Sequence, residues 1–333
     1  MSDDAVYQLE SVTDEITRIE LSPPISGYEP LVESVNVYLV EGDSPALINV
    51  GHPAQADALA AALRQCSVTP ADIERIIATS WEIDVVGGAV RFPRADLFVL
   101  SPDMEAPRDF EIQIEQRRQH LRQLAVEMSE HEEDFSPRVV DELIDRFYPR
   151  MTRSLRFAPL RNGNYVQAGP LRLEVLATAG PGPGHMALYA ADEELLFCGD
   201  FAMSGLPDRL DDAQAYLVSL GRLARLASKR VMPNRDRTFK QGRWTVSRAA
   251  NFLNNFLSNA PAALVRAPTV YDFVERDRGL TTEEPLELLF TGELFRTLFD
   301  ELVRTGAVAA EGQGLDRRYG IDVDDPREKM RKS

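Results

Sequence analysis

Ile76-Ile77-Ala78-Thr79-Ser80-Trp81-Glu82-Ile83-Asp84-Val85-Val86-Gly87-Gly88 is the stretch on which the reading of the chain turns. Ile76-Ile77-Ala78 is a short apolar run with the pattern of a buried strand. It passes into a polar turn, and the glycine pair opens the next segment. Loop residues at a strand end are exposed yet rigidly held, so α/β proteins place chemistry there. Ser80, Glu82 and Asp84 are therefore the first candidate site residues.

The flanking pattern is alternately strand and helix. Val35-Asn36-Val37-Tyr38-Leu39-Val40, the turn Glu41-Gly42-Asp43-Ser44 and the run at 46–51 read as a hairpin ending Ile48-Asn49-Val50-Gly51. Residues 54–65 carry Leu59 and Leu63 at helical spacing, and Leu97-Phe98-Val99-Leu100 is a further strand. After residue 160 the chain returns to β structure with Leu171-Arg172-Leu173-Glu174-Val175-Leu176. Then come Thr178-Ala179-Gly180-Pro181-Gly182-Pro183-Gly184-His185 and Leu195-Leu196-Phe197-Cys198-Gly199-Asp200. Val231-Met232-Pro233-Asn234-Arg235-Asp236 reads as the end of another strand.

Together these four blocks resemble the metallo-β-lactamase superfamily, whose strand after the opening hairpin ends Thr-His-x-His-x-Asp-His followed by Gly-Gly. The resemblance implies an αββα sandwich over residues 1–248. It also shows which ligands are gone. Ser80, Glu82 and Val85 stand where the family has histidines, and only Asp84 is kept. The block at 178–185 is similar to Thr-Pro-Gly-His-Thr-Pro-Gly-His, with Pro181 at the liganding histidine and His185 at the second, which buttresses the loop. Asp200 matches the carboxylate that bridges two metals, and Arg235 takes the place of the last ligand. Asn49 replaces a supporting Asp.

In that family metal-bound water hydrolyses the substrate, because the metals lower its pKa and polarise the scissile group. Zinc needs three or four protein ligands, mainly imidazoles. Here none remains in place, so a tightly held zinc pair is not expected and no cofactor is implied. Trp81-Glu82-Ile83-Asp84 partly matches the diiron branch, His-x-Glu-x-Asp-His, but both flanking histidines are missing there too. As an alternative, Glu82, Asp84 and Asp200 could hold one weak divalent cation (Mg, Mn or Zn) with several waters. Without a metal, Asp84 and Asp200 would face each other, raising one pKa. A guanidinium is a permanent planar cation suited to carboxylates, so Arg235 is expected to fill the vacated place and neutralise both. A Ser80-centred hydrolase would need a base, with His185 the one candidate, and no Gly-x-Ser-x-Gly elbow is present.

Composition sets the outer bounds. With 333 residues, 44% hydrophobic and 27% charged, the chain suits one large domain and a small one. No apolar run reaches the roughly 18–20 residues that span a bilayer. The acidic first twenty residues lack a secretory pattern, so the expectation is a cytoplasmic protein without a membrane partner. A net charge of -16 argues against nucleic acid. An unidentified small molecule or protein partner, and a homo-oligomer, stay open. Cys66 and Cys198 are read as free thiols, and four histidines are too few for a full binuclear site. His52 is expected at the surface, and His120 and His131 in solvent.

Two further segments complete the outline. A helical insertion at about 105–150 carries Ile114, Leu121, Leu124 and Met128 as one stripe and Val139, Val140, Leu143, Ile144 and Phe147 as another. It is a helical hairpin laid over the fold, and in this superfamily such an insertion often covers the active-site mouth. Residues 249–333 read as helix, helix and short ribbon, with Leu294, Leu298 and Leu302 on one stripe. This resembles the winged-helix-like tail of some members, including the β-lactamase-like-protein-2 type. Two functions follow as expectations. One is a non-catalytic or strongly attenuated relative acting by ligand or partner binding. The other is a metal-dependent hydrolase of thioesters or phosphoesters using one weakly bound cation.

Overall fold

The computed structural model describes residues 6–23, 34–101, 110–131, 135–149, 155–182, 184–207, 209–279 and 285–320. Two sheets face each other. The first holds seven strands in sequential order: β1 (Tyr7–Thr13), β2 (Ile16–Leu21), β3 (Val35–Val40), β4 (Ala46–Ile48), β5 (Arg75–Ile77), β6 (Asp96–Leu100) and β7 (Phe157–Leu160). β1 to β4 pair antiparallel, and β4 to β7 pair parallel. Helices α1 (Ala56–Gln65) and α2 (Ile83–Val86) lie in the crossovers that parallel pairing demands. The second sheet runs β13-β12-β11-β10-β9-β8, from β8 (Tyr165–Ala168), β9 (Leu171–Ala177), β10 (Met186–Ala190), β11 (Leu195–Gly199), β12 (Arg230–Pro233) and β13 (Phe239–Lys240). Helices α5 (Ala213–Leu223) and α6 (Gly242–Leu264) follow β11 and β13.

The layer between the sheets holds Tyr38, Val40, Ile48, Ile77, Leu173, Val175, Leu188, Phe197 and Met232, all buried. The opposite face of the first sheet buries Val37, Leu39, Leu47 and Ile76 with Leu59 and Leu63 of α1. Strands buried on both faces read as unbroken apolar runs, which is the composition of β10 and β11; β3 is buried throughout too, with Asn36 the one polar side chain in it besides the Tyr38 hydroxyl.

β4 stops at Ile48, three residues short of the run read from sequence. Asn49 sits in the left-handed region (φ 62°), which Asn tolerates better than most residues, and its backbone leaves the ladder there. The glycine pair has a packing reason. A Cβ on Gly88 would collide with the Val50 carbonyl oxygen, and one on Gly87 with the Pro53 ring. These two contacts seat α2 against the loop after β4.

The insertion forms α3 (Phe110–His131) and α4 (Pro137–Phe147). Ile114, Leu121, Leu124 and Met128 of α3 and Val140, Leu143, Ile144 and Phe147 of α4 are buried together, whereas Val139 faces solvent. The described residues close with α7 (Val270–Arg278), α8 (Pro285–Arg304) and a ribbon of β14 (Ala309–Glu311) and β15 (Arg318–Gly320). Thr269 caps α7 with a reciprocal bond to Asp272. Leu294, Phe295, Leu298, Phe299 and Leu302 of α8 are buried, with Tyr319 against Phe299. The division expected at 248/249 falls inside α6, which runs unbroken through it. Among the described residues no helix is long and apolar enough to cross a membrane.

Candidate functional site

The ends of β5, β11 and β12 meet where the two sheets converge, and their loops carry the candidate residues. Asn49, Thr79, Asn234 and Asp200 form one buried network. Thr79 donates to Asn49 Oδ1 from its backbone N (2.9 Å) and its hydroxyl (3.1 Å). Asn49 Nδ2 donates to Asn234 Oδ1, and Asn234 Nδ2 donates to Thr79 Oγ1 (2.9 Å) and Asp200 Oδ1 (2.7 Å). The Asn234 loop is pinned by Tyr38 and Asn36, which donate to the Pro233 carbonyl at 2.7 and 3.0 Å. Amides do here what charged groups could not, because a buried charge without a partner is far more costly than a bonded amide.

Arg235 Nη2 forms an ion pair with Asp84 Oδ2. Asp84 is 6% exposed at its side chain and Arg235 21%, so the pair is largely withdrawn from water. Asp200 lies beside it and accepts from Asn234 and Ser80. Burial and the negative charge of Asp84 raise the Asp200 pKa, while the Arg235 guanidinium opposes the rise. Arg235 thus bonds Asp84 directly and reaches Asp200 through the field.

Glu82 is paired with a second guanidinium, Arg209, which also holds Asp211 at 2.9 and 3.1 Å. Burial raises the Glu82 carboxyl, with Arg209 opposing. Val85 is buried as a core residue, its carbonyl accepting from Val50 N at 2.9 Å, and Pro181 is buried.

His185 is fully committed. Its Nε2 accepts from the Asp200 backbone N–H (2.9 Å), so Nδ1 carries the proton and faces Thr178 Oγ1 (2.8 Å) and the Thr178 carbonyl (3.1 Å). Burial drives its pKa down to about 3, the Thr178 bond opposing. Both nitrogens are used, so it has no nitrogen left to act as a base for Ser80.

The histidine read as a surface residue is buried. His52 is 0% exposed; its Nε2–H donates to the Phe147 carbonyl (2.6 Å), its Nδ1 accepts from Ala54 N (3.1 Å), and its ring stacks on Phe147 at 5.3 Å. The reason is the helical insertion, for Phe147 at the end of α4 covers the ring. Burial lowers its pKa, with the Phe147 bond opposing. His120 is half exposed, as expected, yet bonded to Glu293 at 2.7 Å; the side chain of His131 lies outside the described residues. Cys198 is buried and Cys66 half-buried, both free.

Arg209, Arg117, Tyr148 and Glu293 complete the cleft and were not singled out from sequence. Arg117 of α3 makes a bidentate pair with Glu293 of α8 (2.7 and 2.6 Å) and hydrogen-bonds Tyr148. Its charge acts on Glu82. Arg117 stands in the polar run Glu115-Gln116-Arg117-Arg118-Gln119 and Arg209 in a loop among charged residues, so neither breaks a sequence pattern.

Residues 31–234 match the profile of the metallo-β-lactamase superfamily. The chain belongs to this superfamily. A metallo-β-lactamase family protein from Thermus thermophilus is similar at 23% identity and a TM-score of 0.67, over 94% of this chain and 100% of that one. A β-lactamase domain protein from Burkholderia ambifaria gives 17% and 0.70, over 97% and 95%. An inverting sec-alkylsulfatase from a Pseudomonas species gives 17% and 0.55, over 87% of this chain and 50% of that one. At these identities the likeness is one of fold.

The superfamily implies metal, and the donor set does not fit a metal pair. Valine and proline side chains carry no donor atom, and a guanidinium is a permanent cation. Among the described residues no three His, Cys, Asp or Glu side chains converge on a point that could hold an ion. Glu82, Asp84 and Asp200 are brought into one cleft, but each is turned to a different partner.

Proposed function

We propose that this metallo-β-lactamase-fold chain is a pseudoenzyme, non-catalytic or strongly attenuated, that acts by binding a small molecule or a partner protein. The observation that carries the reading is the Arg235–Asp84 pair. A metal centre concentrates acidic ligands around a cation, and here a side chain of the same chain supplies the positive charge. A guanidinium is never deprotonated in a protein and cannot be displaced by a metal without leaving its own charge to be accommodated. Fold alone establishes no chemistry, and the chemistry of this cleft is that of ion pairs. The cytoplasm is the compartment this reading assumes.

Elemental analysis by mass spectrometry, on protein purified without chelator or histidine tag, tests it. Substoichiometric transition metal after dialysis against Mg²⁺, Mn²⁺ and Zn²⁺ in turn, with no saturable binding of any of them, supports the reading. Stoichiometric metal together with saturable hydrolysis of a thioester or phosphoester refutes it, and puts a single cation on Glu82, Asp84 and Asp200.

A further inference from the structure

Contacts from the sandwich and from the C-terminal helices hold the α3–α4 hairpin in place. Phe110, its first residue, packs against Trp81 with ring centroids 6.2 Å apart, and Trp81 lies beside Phe157 of β7 at 5.4 Å. Phe147, its last helical residue, is stacked on His52. These two anchors belong to the sandwich. Another belongs to the C-terminal helices: Glu293 of α8 takes both terminal nitrogens of Arg117 and the Nε2 of His120, and Phe290, one turn earlier, lies 5.3 Å from the Arg117 guanidinium and 6.1 Å from the Phe147 ring.

We infer that α8 latches the α3–α4 lid over the cleft through Glu293, so that access to the cleft is set by the C-terminal helices. This regulates the binding site proposed above and rests on that reading for its purpose, not for its geometry. Bidentate arginine–carboxylate pairs are the strong, directional kind of hydrogen bond, and this one is mostly withdrawn from water, at 17% and 18% side-chain exposure. Burial works against the Glu293 charge, but the His120 bond and the Arg117 charge win and hold its carboxyl at about 2. Apolar packing supports the latch only in part. Leu124 and Met128 of α3 meet Val274 of α7 and Leu289 of α8 at a shallow groove, which adds a small apolar contact beside the ion pair. On its inner side the same Arg117 reaches Tyr148 and the charge of Glu82. One guanidinium thus joins the C-terminal helices to the cleft wall, and losing Glu293 frees it at the outer end.

Trp81 reports the state of the lid, because it is buried at the foot of α3 while Trp244, the second tryptophan, is 59% exposed. In a W244F background of the full chain, without ligand or metal, E293Q is expected to raise acrylamide quenching of Trp81 several-fold. Amide exchange across α3 and α4 should speed up while the sheets exchange as before. E301Q, on the same helix but paired with Arg304, should match the W244F parent. The double variant R117M/E293Q removes the pair without leaving a lone buried charge, and it must behave as E293Q does. Unchanged quenching and exchange in both E293Q and the double variant would overturn the latch. So would faster exchange spread equally over lid and sheets. Because no ligand enters the experiment, a stable lid would leave the binding reading standing, and bound metal would leave the latch standing.

Discussion

Replacing Arg235 with Ala removes the cation from the cleft and leaves Asp84 buried beside Asp200. Breaking a buried pair from one side costs about 3–5 kcal/mol, because the remaining charge has lost its partner but not its burial. Arg235 keeps 21% of its side chain in water, so solvent can enter the vacated space and the lower end of that range applies, about 3 kcal/mol. For a chain of this size, at an unfolding entropy of about 2.1 cal/mol/K per residue, that corresponds to a fall in Tm of about 4 °C. Differential scanning calorimetry at neutral pH reads the shift. The double-mutant cycle with Asp84→Asn separates the pair from generic damage: D84N should recover part of the loss, giving a coupling of about 1–3 kcal/mol. R235K, which keeps the charge but not the fork, should fall between wild type and R235A. An unchanged Tm in R235A would refute the reasoning. So would strict additivity in the cycle, since it would mean that the two side chains touch without interacting.

Other perturbations follow from the same geometry. The raised Asp200 pKa means that its ionised form burdens the fold, so this group favours the folded state below the unfolded carboxylate pKa and that benefit is lost as pH rises through the folded value. D200N should therefore raise Tm at neutral pH, with the gain shrinking on acidification; a lower Tm at pH 7 would contradict this. His52 and His185 have depressed pKa values, so their contribution is present above the unfolded value near 6.5 and is lost as pH falls. Urea denaturation across that range should show stability falling by up to about 1.4 kcal/mol per pH unit for each. H185Q, which can still accept from Asp200 N–H, should flatten the profile, and an identical slope would argue against a neutral buried His185. Gly88→Ala should unfold the chain at ambient temperature, because its methyl collides with the Val50 carbonyl; a normally folded variant would show that the α2 seat is soft.

Most of the sandwich was legible because its causes are local. Period-two and unbroken apolar runs mark β3, β5, β6, β9 and β11, and the spacing between blocks fixes the order in which loops reach the cleft. Arg235 stood out because a cation replaced a ligand at a position that a strand end identifies. His52 was misread for the opposite reason. A histidine at a loop start looks solvated until the partner that buries it, Phe147, is brought in from 95 residues downstream. Arg117 and Glu293 share that difficulty. Each sits on an amphipathic helix among other charged residues, and only the packing of α3 against α8, 176 residues apart, selects this pair from its neighbours.

The positions that changed chemistry and those that did not fall into two groups with different physics. Thr178, His185 and the backbone of Asp200 serve the shape of the cleft, and they bond to one another whatever the cleft contains. Ser80, Glu82, Asp84 and Asp200 are the side chains that a cation would have to satisfy. In this chain they are satisfied by Arg235, Arg209 and Asn234 instead. Asn49 belongs with this second group: an aspartate there would add a negative charge next to Asp200, whose pKa is already raised by Asp84, with no metal to offset it. Substitution of a single histidine would have left unpaired carboxylates in a buried cleft, at several kcal/mol each by the cost of burying an uncompensated charge. The guanidiniums and amides are therefore one coupled solution, in which reverting any member alone is unfavourable. Restoring a histidine at position 235, without also removing Arg209 from Glu82, should give a less stable protein that still lacks a metal site.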